Sequence, residues 1–161
     1  MSKKHYPSEN SDDDYDRNLS INASLSQKLN EDHELGVKLY MYDAKFEYDG
    51  GGWGTPGQDD WGKSKQWIGS IYSKNRITKD WLSTVTLSQA EHRREYNTEY
   101  EYGGDSHSSM KTETSMLQWN NTVALSADWM MTAGLDAAAE KVKNDGESHK
   151  RDRYSAFAGL L

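Results

Sequence analysis

Alternation of apolar and polar residues is the feature that most limits how this chain can fold. In residues 19–26 leucine, isoleucine and alanine alternate with serine and asparagine, and residues 35–42 and 117–125 follow a similar pattern. Successive side chains of a β-strand point to opposite faces, so a period of two indicates strands with one apolar and one polar face. Strands of about ten residues, joined alternately by short and long connections, are typical of outer-membrane β-barrels.

The pattern predicts an all-β fold, an antiparallel up-and-down meander of about seven long strands that is part of a larger transmembrane β-barrel. Residues 1–13 are predicted to form an outer loop. The predicted strands cover residues 14–29, 34–47, 64–74, 80–96, 113–125, 129–142 and 152–161. Long connections are expected at 48–63, 97–112 and 143–151.

Two features of the predicted strands stay open. In the third strand Trp67 and Ile71 compete with Ile68 and Tyr72 for the lipid-facing side. Seven strands are an odd number, and a bilayer does not tolerate unpaired strand edges. The sequence therefore predicts a piece of something larger, or several copies that complete each other.

Composition agrees with a barrel better than with a soluble domain. The chain is 34% hydrophobic, with a net charge of −7 and a mean hydropathy of −1.02, which is poor in material for a soluble core. A barrel strand needs only every second residue to be apolar. The 6 Trp and 10 Tyr, against 2 Phe, suit the two interfaces of a bilayer.

Several classes of protein are disfavoured by the sequence. No run of about 20 apolar residues is present, so no transmembrane helix is predicted, and the acidic balance argues against nucleic-acid binding. No apolar signal segment follows Met1, which conflicts with export and favours a fragment. No arrangement of nucleophile, acid and base points to an enzyme, and the charge run at 91–95 is interpreted as a solvated rim.

Two acidic clusters are the first candidate site. One lies at residues 12–16, before the first strand, and the other at 49–60, in the next loop on the same side. Neighbouring outer loops of a meander come together, so these carboxylates can converge. Calcium takes six to eight oxygen ligands in flexible geometry and would neutralise them. The alternative is that these loops are simply solvated.

The second candidate is the glycine-rich loop 50–57, which carries Trp53. Together with Tyr48 this side chain could pack on a large planar ligand, because aromatic rings give contact area at a small cost in entropy. The alternative is a mobile loop whose tryptophan rests on its neighbour.

Several segments together resemble TonB-dependent outer-membrane receptors, and among them the receptors for vitamin B12 (cobalamin). The resemblance rests on the spacing of Asp14, Asp43, Asp49 and Asp60. It also rests on four further segments, namely Ser64–Trp67, Ser115–Leu125 with its sequence LQWNNTVAL, Ala133–Asp136, and Arg153–Leu160. It covers most of the chain and corresponds to the early-middle part of the barrel.

The resemblance implies a plugged barrel of about 22 strands in the bacterial outer membrane, in contact with its lipid. It implies calcium bound by Asp12, Asp14, Asp49 and Asp60, and a large ligand, cobalamin first, contacted by Tyr48. The plug domain and the segment that contacts TonB are absent from these 161 residues, so TonB would act only through parts of the receptor outside them.

The sequence therefore favours a fragment of a TonB-dependent receptor that takes up a scarce nutrient, with outer loops ordered by calcium. Two other interpretations remain open. One is a soluble β-sheet module that binds its ligand through calcium, and the other is a porin-like barrel assembled from several copies.

Overall fold

The chain folds into one antiparallel sheet, seen in a computed structural model that describes residues 2–7, 13–48, 58–100 and 104–161. For residues 2–7, 13–14 and 58–59 only the backbone is described. The eight strands are β1 (Ser2–Pro7), β2 (Asp13–Lys28), β3 (His33–Tyr48), β4 (Gln58–Thr78), β5 (Trp81–Tyr100), β6 (Ser106–Ala124), β7 (Met130–Asn144) and β8 (Glu147–Leu160). Each strand pairs with the next in sequence order, so the predicted up-and-down meander is confirmed.

All seven predicted strands are present, and an eighth precedes them. The prediction of a loop over residues 1–13 is wrong at Ser2–Pro7, which pairs with Asp13–Asn18 of β2. This pairing uses backbone hydrogen bonds and needs no apolar alternation, which explains why the sequence pattern missed it. None of the described residues forms a helix that is long and apolar enough to cross a membrane.

All three long connections are shorter than predicted. The one expected at 97–112 lies at 101–105, because β5 continues to Tyr100 and β6 begins at Ser106. The long connection expected at 143–151 is a tight turn at Asp145 and Gly146, whose φ angles are 44° and 95°. Positive φ at both central residues is the geometry of a type I′ hairpin turn, which an Asp-Gly pair favours. β4 begins at Gln58 rather than at residue 64, so Asp60 lies in a strand and not in the loop where the sequence placed it.

The sheet has one apolar face that no other described part of the chain covers. Its register settles the open question for β4, because Trp67 lies opposite Met41 and Ile71 opposite Val37. The fourteen large apolar side chains grouped on this face are 37% (Trp67) to 73% (Leu25) exposed. The group consists of Leu19, Ile21, Leu25, Leu35, Val37, Leu39, Met41, Trp67, Ile71, Val85, Leu87, Leu117, Trp119 and Leu135. We call it the apolar band.

The opposite face is polar and more crowded. Among the described residues only Ala44 and Ala138 are buried hydrophobic side chains, and the register places both on this polar face. Crowding on one side and exposure on the other are expected of a curved sheet whose polar side faces inward. The described sheet therefore buries its polar face more than its apolar band.

Three glycines on the polar face each lie under an aromatic ring from the neighbouring strand. Gly36 is opposite Tyr72, Gly62 is opposite Phe46, and Gly134 is opposite Phe157. A Cβ atom added at any of these glycines would meet its ring at 2.3–2.4 Å. The rings therefore occupy the space that a side chain would otherwise take, which favours the observed register of two strand pairs, β3–β4 and β7–β8.

Candidate functional site

On the polar face, aromatic and charged side chains gather near the end where the connections 8–12, 49–57 and 101–105 lie. We call this the loop end, and the other the turn end. Four rows of directly paired residues descend from the loop end across β3, β4, β5 and β6. They are Tyr48, Asp60, Thr98 and Ser106; Phe46, Gly62, Tyr96 and Ser108; Ala44, Ser64, Arg94 and Met110; and Tyr42, Gln66, His92 and Thr112.

Aromatic rings gather in the first two of these rows. The ring centroids of Phe46 and Tyr48 are 5.8 Å apart, and those of Phe46 and Tyr96 are 6.3 Å apart in an edge-to-face arrangement. Phe46 lies over Gly62, which lets it sit flat against the sheet. Tyr96 keeps 41% of its surface exposed, so this aromatic cluster presents a ring to the inside of the sheet.

Asp60 closes the cluster at its outer edge. Its side chain is only 4% exposed, and its backbone pairs with Tyr48. Burial raises the pKa of the Tyr48 hydroxyl, and the nearby carboxylate of Asp60 and the ring of Tyr96 raise it further. Tyr48 is therefore a neutral hydroxyl at physiological pH, able to donate a hydrogen bond beside an aromatic surface.

A polar group lies below the aromatic cluster, still beyond the level of the apolar band. Nε2 of His92 is 3.1 Å from the Ser64 hydroxyl, and Arg94 donates from Nε to the same nitrogen at 3.2 Å. Burial lowers the pKa of His92, and the charge of Arg94 lowers it further. The lowered pKa favours the neutral imidazole of His92, whose Nε2 accepts the hydrogen bond from Arg94 Nε. This hydrogen bond positions the exposed Arg94 side chain below the rings.

The residues predicted from sequence fall partly outside the described chain. Asp12, Asp49 and Trp53 lie outside the described residues, and Asp14 is described only as backbone in β2. Tyr48 and Asp60 lie side by side at the loop end. Among the described residues no three acidic or histidine side chains are grouped closely enough to hold a metal ion.

Sequence reasoning missed Phe46, Tyr96, His92 and Arg94. A signal was available, because Phe46 and Tyr48 are two residues apart and therefore share a face. The same holds for His92, Arg94 and Tyr96 on β5. The charge run around them hid the alternation, since both faces of β5 are polar there.

The fold of the chain is similar to that of several solved structures, although its sequence is only distantly similar to theirs. No protein-family model matches the chain, and no curated protein matches its sequence. Among solved structures, the FpvA receptor of P. aeruginosa bound to heterologous pyoverdines is similar at a TM-score of 0.73 and 14% identity, over 91% of this chain and 24% of that one. The ferric yersiniabactin uptake receptor FyuA of Yersinia pestis is similar at a TM-score of 0.58 and 13% identity, over 93% of this chain and 26% of that one.

A barrel of another kind is similar as well. The translocator domain of the autotransporter NalP from Neisseria meningitidis matches at a TM-score of 0.55 and 12% identity, over 92% of this chain and 54% of that one. The chain spans about a quarter of the length of the two receptors. At these identities the likeness concerns the arrangement of strands, and the chain has the fold of a segment of a β-barrel.

Proposed function

We propose that this chain is a segment of a TonB-dependent receptor of the bacterial outer membrane that takes up a scarce nutrient, with cobalamin as the first candidate. The observation that carries the proposal is the pairing of two faces in one meander. One face exposes a continuous apolar band, and the other holds a cluster of aromatic rings at the loop end. Energised transport through TonB belongs to the whole receptor.

The apolar band supports a membrane location over a soluble module. Large apolar surfaces of this extent are not left open to water in soluble monomers, whereas lipid covers them at no cost. The band is continuous across β2 to β7, because each of its members except Leu19, which lies opposite Asp43, has an apolar or small residue opposite it. Outer-membrane lipid is therefore the first partner of this face.

The aromatic cluster supports a large ligand with a flat, ring-containing surface. Phe46, Tyr48 and Tyr96 offer rings, and Arg94 adds a charged donor about two residues further down the strand. A corrinoid such as cobalamin combines a broad ring with amide and phosphate groups that an arginine can bind. Trp53, in the loop between β3 and β4, is proposed as a further contact from above.

Calcium is proposed as the ion that orders the loops, bound by Asp12, Asp14, Asp49 and Asp60. The register supports part of this set. Asp16 pairs with Phe46 and Asp60 with Tyr48, so continuing the β2–β3 pairing by two residues brings Asp14 to the level of Asp60, two strands away. A carboxylate at that level suits a hard cation that prefers oxygen ligands. Bound calcium would hold facing loops in one arrangement and lower the entropy cost of ligand capture.

The test is equilibrium binding of cobalamin to the intact receptor in its membrane, with calcium and with a chelator. Tyr48→Ala should weaken binding about tenfold or more, as truncation of a buried aromatic contact does. Tyr154→Ala, on the apolar face and 78% exposed, is the matched control and should change nothing. Asp60→Asn should weaken binding in calcium and have little effect in chelator.

The calcium site, the ligand and the receptor class can each be refuted by a different result. Binding that is equal in calcium and chelator would refute the calcium site and leave the receptor class in place. Binding of a ferric siderophore but not of cobalamin would refute the ligand alone. An intact protein in the outer membrane of only 18.4 kDa would refute TonB-dependent uptake and favour an oligomeric barrel.

A further inference from the structure

Arg94 lies on the polar face without a carboxylate partner. The register places it directly opposite Ser64 of β4 and Met110 of β6. Within the part of the chain that the structure describes, its exposed side chain forms no ion pair. On the opposite face, by contrast, Lys65 and Lys111 are each paired with a carboxylate. Arg94 therefore has a positive charge that the described chain does not balance.

The immediate surroundings of Arg94 on this face hold no carboxylate. The side chains around it belong to Gly62, Ser64, Gln66, His92, Tyr96, Ser108, Met110 and Thr112. Glu95 is adjacent in sequence, but it points to the opposite face because side chains alternate along a strand. Asp60 lies on the same face as Arg94 but four residues before Ser64 in β4, which is about 14 Å along the strand.

The other carboxylates that β3–β7 place on the polar face are already bound by the protein. Glu34 accepts a hydrogen bond from a tyrosine hydroxyl at 2.9 Å, and Glu140 forms an ion pair at 2.8 Å. Asp136 accepts two hydrogen bonds, each 3.3 Å long. Lys38 is exposed on the same face and, within the described chain, forms no ion pair. Between Asp60 and the turn end this face therefore favours an anion, although the net charge of the chain is −7.

The guanidinium of Arg94 is held at one nitrogen and open at the other two. Its Nε donates to His92 Nε2 at 3.2 Å, and no described residue accepts a hydrogen bond from its terminal NH2 groups. Such a planar pair of donors matches the two oxygens of a carboxylate or phosphate. Tyr96 is two residues further along β5, about 7 Å away, and is 41% exposed. A ligand ring packed on Tyr96 would bring an attached oxyanion to Arg94.

We propose that Arg94 is a specificity-determining residue that binds an oxyanion of the ligand, a carboxylate or a phosphate, while a ring of the same ligand packs on Tyr96. This subsite rests on the proposed function, because it makes the aromatic cluster part of a ligand site. It narrows the ligand to a class that carries a negative charge beside a ring. A neutral ligand would gain no ion pair from the guanidinium.

Binding of small aromatic probes to the intact protein in lipid nanodiscs tests the subsite. The probes are benzoate, phenyl phosphate and benzamide, which is a neutral molecule with the shape of benzoate. Saturation-transfer NMR titrations give each dissociation constant, with empty nanodiscs as the blank. The wild-type protein should bind one or both anions about tenfold more tightly than benzamide, as a hydrogen bond to a charged group predicts. Tighter binding of benzoate would identify a carboxylate ligand, and tighter binding of phenyl phosphate a phosphate ligand.

Three variants separate the charge of Arg94 from folding and from general charge. R94Q should weaken anion binding to the level of benzamide and leave benzamide binding within about twofold of the wild type. R94K keeps the charge without the paired donors, so it should retain part of the preference for anions. R76Q removes an exposed arginine at the turn end of the same face and should change nothing.

Equal binding of benzamide and both anions by the wild type would overturn the subsite. Equal losses of anion binding in R76Q and R94Q, or an equal loss of benzamide and anion binding in R94Q, would overturn it as well. None of the probes is a nutrient, so the proposed function fails separately. An anion preference that depends on Arg94 in a protein that does not bind cobalamin would refute cobalamin and keep the subsite.

Discussion

Gly36 should be intolerant of even a methyl group, because the ring of Tyr72 occupies its side-chain space. A Cβ atom at this position would lie 2.3 Å from Cε1 and Cζ of Tyr72, so Gly36→Ala must push the ring aside. The displaced ring would lose the hydrogen bond from its hydroxyl to Glu34 Oε1, now 2.9 Å long. It would also lose its contact with the Lys38 ammonium, 5.3 Å from the ring centroid.

The expected cost follows from these losses. The hydrogen bond is worth about 1 kcal/mol, the contact with the cation about 0.5–1 kcal/mol, and a strained tyrosine rotamer costs about 0.5–1.5 kcal/mol. Replacing glycine by alanine within a strand returns about 0.5–1 kcal/mol. Gly36→Ala should therefore lower the free energy of unfolding by about 1–3 kcal/mol.

Urea unfolding of the intact protein in phospholipid vesicles, followed by tryptophan fluorescence, measures this cost. Gly69→Ala is the matched control, because its added Cβ would meet the nearest atom, Cζ3 of Trp67, at an ordinary 3.5 Å. In a Tyr72→Ala background the Gly36→Ala change should raise the free energy of unfolding by about 0.5–1 kcal/mol, which gives a coupling energy of about 2–3.5 kcal/mol. A coupling below about 0.5 kcal/mol, or equal effects of Gly36→Ala and Gly69→Ala, would refute the reasoning.

Three further predictions concern the loop end. Gly146→Ala should lower stability by about 1–3 kcal/mol, because φ at this turn residue is +95°; Gly104→Ala, with open space around it, should be neutral in the same urea assay. Arg94→Gln should raise the pKa of His92, measured by NMR, but not to its ordinary value, since burial is the larger cause of its depression. Hydrogen bonds from the Ser109 backbone N–H and then from the Ser108 hydroxyl lower the pKa of Asp145. The stability that this carboxylate contributes is therefore present above its unfolded-state pKa and lost as pH falls through its folded-state pKa. Asp145→Asn should reduce the loss of stability at acid pH, and an unchanged dependence of stability on pH would contradict this prediction.

The strands were predictable where one face of the sheet carries the apolar band. Val37, Leu39 and Met41 alternate with Lys38 and Tyr40, and this period of two fixed the strand and its phase. The prediction weakened at Trp67 and Ile68, where both faces carry bulky residues, and only the pairing of Trp67 with Met41 settles it. Pairing between strands is a property of the whole sheet, which no single strand encodes.

Between the apolar band and the loop end, the alternation of apolar and polar residues disappears. β4 begins at Gln58 and β5 continues to Tyr100. Both faces of these extensions are polar, so the sequence pattern predicted that β4 begins later and β5 ends earlier than they do. Asp60 illustrates the consequence. Its carboxylate was expected in an open loop, whereas backbone pairing with Tyr48 continues the strand and buries it. The aromatic cluster was missed for the same reason.

In the proposed membrane location, the change along β5 would set the depth of the sheet in the bilayer. On this face Trp81, Val85 and Leu87 give way to Glu91 and Arg93. A charged side chain costs about 2–4 kcal/mol at the middle of a barrel's lipid face but only about 0–1 kcal/mol near the interface. Sliding the sheet toward the turn end would draw these charges into hydrocarbon on several strands at once, because Glu113 and Lys111 lie directly opposite. The polar face has no such gradient, so its residues can serve ligand contact without affecting where the sheet lies in the membrane.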